Sequence, residues 1–191
     1  MLTREQAIEI FTKSQALLTG HFRLTSGRHS GQYMQCAQVL QYPHYAAQLC
    51  DALAEKFAGT PVDLVIGPAL GGIIVAYEVG RALGVKTFFT ERDQGVMSLR
   101  RGFVINPGEK VLVVEDVVTT GGSVKEVIEV VRQKGGEVTG VGVLVDRSNG
   151  KVDFGVNTES ILKMEIESYN PEECPLCQQG LPLIKPGSRQ V

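Results

Sequence analysis

An acidic pair followed by hydroxyl and glycine residues is the most chemically distinctive feature of this sequence. Glu115 and Asp116 come directly after the apolar residues 111–114, and Thr-Thr-Gly-Gly-Ser follows at residues 119–123. Two adjacent carboxylates repel each other unless hydroxyl groups or a cation lie against them. Glycines let backbone N–H groups point inward, and a helix that begins after them adds partial positive charge, so residues 119–123 are suited to bind a phosphate. The sequence therefore predicts one ligand that carries both sugar hydroxyls and a phosphate.

Two common nucleotide-binding motifs are absent from the sequence. No G-x-G-x-x-G follows a predicted strand, which argues against a dinucleotide-binding fold, and no G-x-x-x-x-G-K-[ST] is present to form a Walker loop. The alternative interpretation of residues 111–123 is an ordinary strand–turn–helix corner. The acidic pair and the three hydroxyl residues that follow it favour a binding site over that alternative.

The elements that must position these residues alternate between strands and helices. Unbroken apolar strands separated by helices indicate a parallel sheet covered on both faces. The predicted strands are residues 63–67, 85–90, 102–105, 111–114, 138–145 and 161–166, and the predicted helices between and before them are residues 44–58, 73–83 and 124–134. Ligands bind at the carboxyl ends of such strands. The segments expected there are residues 67–72, 91–101, 115–123 and 146–147.

The first 42 residues have a different character. Thr3 and Gln6 form a capping-box pattern, which predicts a helix that runs to about Leu18 and is stopped by Gly20. Residues 25–31 are polar and rich in turn-forming residues.

Length and composition limit the class of protein. The 191 residues suit one domain, and 43% hydrophobic and 21% charged residues are typical of a globular chain. The net charge of −2 provides no general basic field for nucleic acid. No apolar run reaches the roughly 18 residues of a membrane helix, and residues 1–6 do not resemble a signal peptide. We therefore expect a cytoplasmic protein without nucleic-acid or membrane partners.

The cysteines and histidines do not form a recognisable metal-binding motif in the sequence. Cys174 and Cys177 form a single C-x-x-C, which we interpret as a solvated turn, since no second C-x-x-C or neighbouring histidine completes a zinc site in the sequence. The alternative is a metal site completed from elsewhere in the fold or from a partner chain. His21 and His44 are expected at the surface or in helix caps, whereas His29 is a candidate to approach a substrate.

Residues 111–123 closely resemble the phosphoribosyl diphosphate (PRPP) signature of type I phosphoribosyltransferases, and further segments resemble the orotate phosphoribosyltransferase family in particular. Residues 22–30 are similar to the N-terminal segment that this family folds over its site, Gly67-Pro68 to the start of its diphosphate-binding loop, and Asp146-Arg147 to its orotate-binding segment. The resemblance implies an α/β fold with a central, mostly parallel sheet flanked by helices. It also implies a single domain over residues 1–191, with a core at about 43–166 and a small hood, defined as residues 1–42 plus the C-terminal segment.

The resemblance also implies an activity and a set of site residues. The activity is the pentosyl transfer that joins orotate to PRPP, giving orotidine 5′-monophosphate and diphosphate. Magnesium is implied as a cofactor held mainly by the substrate, with no direct protein ligand, and a homodimer with shared active sites is implied as the assembly. Arg147 and Thr119 correspond to orotate-binding residues, Leu70 and Gly71 to the diphosphate loop, and Asp116 to a catalytic residue. The PRPP-binding residues are Glu115, Asp116, Val117, Val118, Thr119, Thr120, Gly121, Gly122 and Ser123.

The sequence departs from the well-known members of that family in its basic residues. Residues 91–101 are shorter than the family's mobile loop and contain no lysine or histidine. Leu70-Gly71 and Thr25 stand where the family has lysines and an aromatic residue. We predict that a lid over the diphosphate carries arginines instead, and that these are Arg92, Arg100 and Arg101. The alternative is a solvated charged hairpin.

The sequence leaves two alternative functions open, a purine phosphoribosyltransferase and a non-catalytic regulator. A purine phosphoribosyltransferase would share the fold, but a neutral purine has no carboxylate for Arg147 to bind. A non-catalytic regulator that binds PRPP or a nucleotide and recognises RNA would need a basic face or exposed aromatic residues, and aromatic residues make up only 6% of the chain.

Overall fold

A six-stranded sheet forms the centre of the computed structural model, which describes residues 2–24 and 26–186. Its strand order is β5-β4-β3-β6-β7-β8, and all neighbours are parallel except β4 and β5. This confirms the predicted mostly parallel sheet. The strands are β3 (Leu64–Pro68), β4 (Lys86–Asp93), β5 (Val96–Leu99), β6 (Lys110–Val118), β7 (Glu137–Asp146) and β8 (Thr158–Lys163).

Helices cover both faces of the sheet, and the side chains of β6 show which helices pack on each face. Val111 and Val113 point into one core cluster, which they share with helix α5 (Gly122–Gln133). Leu112 and Val114 point into the other cluster, with helices α3 (Pro43–Glu55) and α4 (Gly71–Leu83). All four valine and leucine side chains are fully buried. Successive side chains of a strand face opposite sides, so a continuous apolar run is what a strand between two helical layers requires.

The N-terminal part begins with helix α1 (Arg4–Lys13), and the predicted capping box between Thr3 and Gln6 is present. The helix ends at Lys13 and not near Leu18, so that boundary was wrong. The Ser14 hydroxyl donates to the carbonyl of Ile10 at 2.8 Å, and Gln15 has a φ of 57°. This left-handed residue turns the chain out of the helix and into a strand.

Two antiparallel strands, β1 (Leu17–Arg23) and β2 (His29–Met34), form a separate hairpin in the hood. The C-terminal segment adds to both of its edges. Tyr169 exchanges backbone hydrogen bonds with His29 at 2.8 and 2.9 Å, and the N–H of Ile184 donates to the carbonyl of His21 at 2.9 Å. Two short helices, α2 (Ala37–Leu40) and α6 (Pro175–Gln178), complete the described elements together with a 3₁₀ turn at Pro171–Glu173.

Several further predictions about local structure need correction. Residues 102–105 form no strand, and the last strand is Thr158–Lys163 and not residues 161–166. His21 lies in β1 and is 2% exposed, so its predicted surface position was wrong. Cys174 is fully buried, which contradicts a solvated C-x-x-C turn. Thr25, one of the positions where a family lysine is replaced, lies outside the described residues.

No helix among the described residues combines the length and apolar composition needed to cross a membrane.

Candidate active site

The acidic pair lies at the carboxyl end of β6, as predicted. Glu115 is 8% exposed, and its Oε1 atom accepts a hydrogen bond from the backbone N–H of Asp116 at 3.0 Å. The Oδ1 atom of Asp116 accepts from the N–H of Val117 at 2.7 Å. Burial and the neighbouring Asp116 raise the pKa of Glu115 to about 9, and burial also raises the pKa of Asp116. The two carboxyl groups therefore retain a proton near neutral pH until a cation or hydroxyl donors approach.

A pocket follows directly after this pair, between the end of β6 and the start of α5. Gly121 has a φ of 74° at the position before the helix, and a Cβ there would lie 2.6 Å from Cγ1 of Val152. Only glycine fits this left-handed, closely packed position. The N-terminal amides of the twelve-residue helix α5 consequently open toward the pocket. The lining residues are Glu115, Val117, Val118, Thr119, Thr120, Gly121, Gly122, Ser123 and Val124.

The segment at residues 67–72, where β3 ends and α4 begins, lies against the same acidic pair. A Cβ on Gly71 would lie 2.2 Å from Oδ2 of Asp116, so only glycine allows this approach. Leu70 is 82% exposed and precedes the first turn of α4, and the peptide bond between Ala69 and Leu70 is cis. The fold thus brings Gly71 next to Asp116, and Leu70 directly precedes it at the carboxyl end of β3.

Arg147 lies at the carboxyl end of β7, next to the pocket. Its backbone N–H donates to the carbonyl of Val118 at 2.8 Å. The side chain is half-buried, and its Nε atom is buried without a hydrogen-bond partner among the described residues. Burial lowers the pKa of Arg147, and the nearby Cys36 and Tyr33 oppose this effect. A guanidinium in this state is suited to an anionic ligand that completes its hydrogen bonds.

Arg92 lies on β4 of the β4–β5 hairpin, and Arg100 and Arg101 directly follow β5. Each of the three arginines contacts an acidic side chain. Arg92 bonds Glu126 of α5 at 2.6 Å, and Arg101 bonds both oxygens of Glu91 at 2.9 and 3.0 Å. The contacts of Arg100 are longer, at 3.5 Å to Asp93 and 4.0 Å to Glu91. The described hairpin therefore matches the charged-hairpin alternative in form, while Arg100 is the arginine least engaged by protein partners.

Cys36 was not recognised as a site residue from the sequence. Its Sγ atom lies 3.6 Å from the backbone carbonyl of Asp116, and burial raises the pKa of its thiol well above the usual range. The thiol is therefore neutral and packs beneath the acidic pair. An isolated cysteine in a hydrophobic segment carries no motif, so nothing in the sequence indicated this position.

Comparison with known proteins identifies the family. The phosphoribosyl transferase domain model matches residues 37–154. The chain is 65% identical to an orotate phosphoribosyltransferase of Desulforamulus reducens and 64% identical to one of Pelotomaculum thermopropionicum, each over 190 residues that cover 100% of both chains. The crystal structure of orotate phosphoribosyltransferase from Aeropyrum pernix is 28% identical, with a TM-score of 0.71 over 82% of this chain and 93% of that one. These similarities over the full length show that the chain belongs to the orotate phosphoribosyltransferase family.

Proposed function

We propose that this protein transfers the 5-phosphoribosyl group of PRPP to orotate, releasing diphosphate and forming orotidine 5′-monophosphate. One observation carries the proposal above all: Arg147, whose buried Nε has no hydrogen-bond partner among the described residues, bonds through its backbone to Val118 of the pocket that Glu115 also lines. Strands β6 and β7 pair in parallel with Val118 opposite Asp146, so their carboxyl ends place both groups at one edge of the sheet. A sugar phosphate and an anionic base are therefore accommodated side by side.

The reaction needs alignment and charge stabilisation, and no protein nucleophile. The amides and hydroxyls at residues 119–123 hold the 5′-phosphate, while Glu115 and Asp116 accept hydrogen bonds from the ribose hydroxyls. The planar guanidinium of Arg147 binds the orotate carboxylate through two parallel hydrogen bonds, which points the ring nitrogen at the anomeric carbon. As diphosphate departs, the positive charge that develops on the sugar lies near the carboxylates.

The acidic pair also fits the magnesium that the reaction requires. Magnesium takes oxygen ligands, and it commonly retains several water molecules. Neither Glu115 nor Asp116 forms an ion pair with a basic side chain within residues 2–24 and 26–186, so a cation would balance otherwise uncompensated charge. The two side chains would hold the ion through its water molecules or through the ribose hydroxyls. When bound, magnesium neutralises charge on the departing diphosphate.

We further propose a homodimer and a cytoplasmic location. Leu70, Ile74 and Tyr77 are 82%, 42% and 64% exposed, and their spacing places them along one face at the start of α4. Covering this apolar stripe with a second copy would bury it next to the diphosphate loop, in keeping with shared active sites. None of the four cysteines forms a disulfide, which agrees with a reducing compartment.

The activity is tested by mixing the purified protein with magnesium, PRPP and one base at a time. Orotate consumption that depends on PRPP supports the proposal, and consumption of adenine, guanine or hypoxanthine in its place would establish the purine alternative. A filter-binding measurement with RNA completes the test. Salt-sensitive RNA retention without consumption of any base would indicate that the protein is a nucleotide-responsive regulator and not an enzyme.

A further inference from the structure

Four side chains that can bind a metal converge inside the hood, away from the acidic pair. They are His21, His29, Cys174 and Cys177, and one ligand atom from each lies within 4.8 Å of all the others. The C-x-x-C seen in the sequence thus has two histidine neighbours in space, although they are about 150 residues away along the chain.

Four of the six separations between these atoms are close to the edges of a tetrahedron around one small ion, and the other two are at most 4.8 Å. The Nε2 atom of His21 lies 3.0 Å from Nδ1 of His29, 3.6 Å from Sγ of Cys174 and 3.7 Å from Sγ of Cys177. The Sγ atom of Cys177 lies 3.3 Å from Nδ1 of His29. Zinc bond lengths of about 2.05 Å to nitrogen and about 2.3 Å to sulfur give tetrahedral edges of roughly 3.3 Å between two nitrogens and roughly 3.6 Å between nitrogen and sulfur.

Hydrogen bonding orients His21 for such a role. Its Nδ1 atom lies 2.9 Å from the backbone carbonyl of Leu181. A carbonyl can only accept, so Nδ1 carries the hydrogen and Nε2 presents its lone pair to the cluster. Zinc-binding histidines in proteins are held by this kind of partner on the other ring nitrogen.

Burial distinguishes three of these four groups from surface groups that meet by chance, whereas Cys177 is exposed. His21, His29 and Cys174 are 2%, 5% and 0% exposed. A hydrogen bond between the two imidazoles would account for their 3.0 Å separation, but it gives no reason for two thiols to lie against the same two nitrogens. A single ion explains the positions of all four groups.

We propose that His21, His29, Cys174 and Cys177 bind one structural zinc ion. Two sulfurs and two nitrogens in a tetrahedron favour zinc over magnesium or calcium, which prefer oxygen ligands. Four protein ligands leave no open position for a substrate, so the ion stabilises the fold and does not catalyse. On binding, the two thiols release their protons to solvent and bind as thiolates.

The zinc joins two parts of the hood that are distant in sequence. His21 and His29 lie on the two strands of the β1–β2 hairpin. In the C-terminal segment, Cys174 directly precedes α6 and Cys177 lies within it. The backbone hydrogen bonds of Tyr169 and Ile184 hold the same two parts together. The metal therefore fixes the C-terminal segment on the hairpin. This role is separate from PRPP binding and does not depend on the proposed activity.

The full-length protein, purified under reducing conditions without chelator, is assayed for metal by mass spectrometry. We expect about one zinc ion per chain, and loss of most of it in Cys177→Ser and His29→Ala. Cys50→Ala and His44→Ala are matched controls, because Cys50 is buried in α3 and His44 is exposed, both outside the cluster. They are expected to retain the metal.

A second measurement on the unaltered protein decides the question if the variants do not fold. Cobalt is exchanged into the site, and visible absorption typical of tetrahedral cobalt with thiolate ligands is expected. Protein that takes up neither zinc nor cobalt after full reduction would refute the site. A folded Cys177→Ser variant that binds as much zinc as the controls would also refute the site. Recovery of iron as the only metal after zinc is supplied would refute the assignment to zinc.

Discussion

At the scale of single residues, Arg147 carries charge in a half-buried position where no described side chain balances it. Replacing it by alanine removes the partner of the orotate carboxylate, and losing one member of a desolvated charge pair costs about 2–5 kcal/mol. We expect kcat/KM for orotate to fall by roughly 30-fold to 4,000-fold. The KM for PRPP is expected to change little, and steady-state kinetics with each substrate varied in turn measures both.

Two comparisons make the Arg147 prediction specific. Arg147→Lys should recover only part of the activity, because an ammonium group cannot form the two parallel hydrogen bonds of a guanidinium. The melting temperature of Arg147→Ala should not fall, since the alanine removes a half-buried charge that has no described protein partner. An equal loss of affinity for both substrates, or a destabilised variant, would assign Arg147 a structural role instead.

Glu115 predicts a pH dependence of stability. Its pKa in the folded protein is raised to about 9 from an ordinary value of 4.5, so the folded state binds a proton that the unfolded state has lost. Stability from this group is therefore full below about pH 4.5 and is lost as the pH rises toward about 9, by at most ~1.4 kcal/mol per pH unit. Glu115→Gln stays neutral and should not show this loss.

Thermal melting of the substrate-free protein between pH 5 and about 9 tests the Glu115 prediction. The difference in melting temperature between Glu115→Gln and the unaltered protein should grow in favour of the variant as the pH rises. Glu172→Gln is the control, because Glu172 is exposed in the 3₁₀ turn. Parallel curves for all three proteins would contradict the raised pKa.

At the scale of elements, the β4–β5 hairpin carries the predicted lid arginines. If they act on the leaving diphosphate, each donor contributes about 3–4 kcal/mol, and Arg100→Ala should lower kcat/KM by about 100-fold or more. A smaller effect is expected for Arg101→Ala, because Glu91 already engages Arg101 through two hydrogen bonds. Arg132→Ala, on the last turn of α5, is the control. Unchanged kcat/KM in both hairpin variants would leave only the charged-hairpin alternative.

The elements of the core were predictable because their sequence signals are local. Apolar runs such as residues 111–114 indicate buried strands, and Gly84 ends α4 in the left-handed conformation that a helix end commonly uses. The end of α1 was not predictable in this way. Leu17 and Leu18 continue the apolar pattern of the helix, but Ser14 and Gln15 turn the chain, and pairing with β2 makes residues 17–23 a strand.

The residues of the candidate site also differ in whether a local sequence signal predicts their position. Residues 115–123 form one contiguous motif, so their common pocket could be predicted from the sequence. Gly71 and Arg147 follow other strands of the sheet. Parallel strands present their carboxyl ends at one edge, so both residues could be predicted to lie at the same edge as the acidic pair. Cys36 reaches Asp116 from the hood. Its position depends on how the hood packs on the sheet, and no local signal encodes that packing.

At the scale of the whole molecule, the hood depends on contacts between the two ends of the chain. The side chain of Arg28 bonds Ser168 at 2.8 Å, and His21 meets Cys174 across 153 positions of sequence. The histidines have no metal-binding spacing of their own, so the sequence alone indicates a solvated turn at the cysteine pair. A metal that binds only the folded chain and joins segments this far apart is expected to stabilise the fold by its binding free energy.

The proposed zinc site also makes the stability of the protein sensitive to a chelator. In the absence of substrates and magnesium, a strong zinc chelator should lower the melting temperature by about 5 °C or more, because removing an ion that binds only the folded state removes its binding free energy from stability. Adding zinc after the chelator is removed should restore the transition, and adding magnesium should not, since the ligands are sulfur and nitrogen. Cys177→Ser should melt at one temperature with or without chelator. A zinc-loaded protein whose melting curve ignores the chelator would show that the two ends of the chain are held by hydrogen bonds and packing alone.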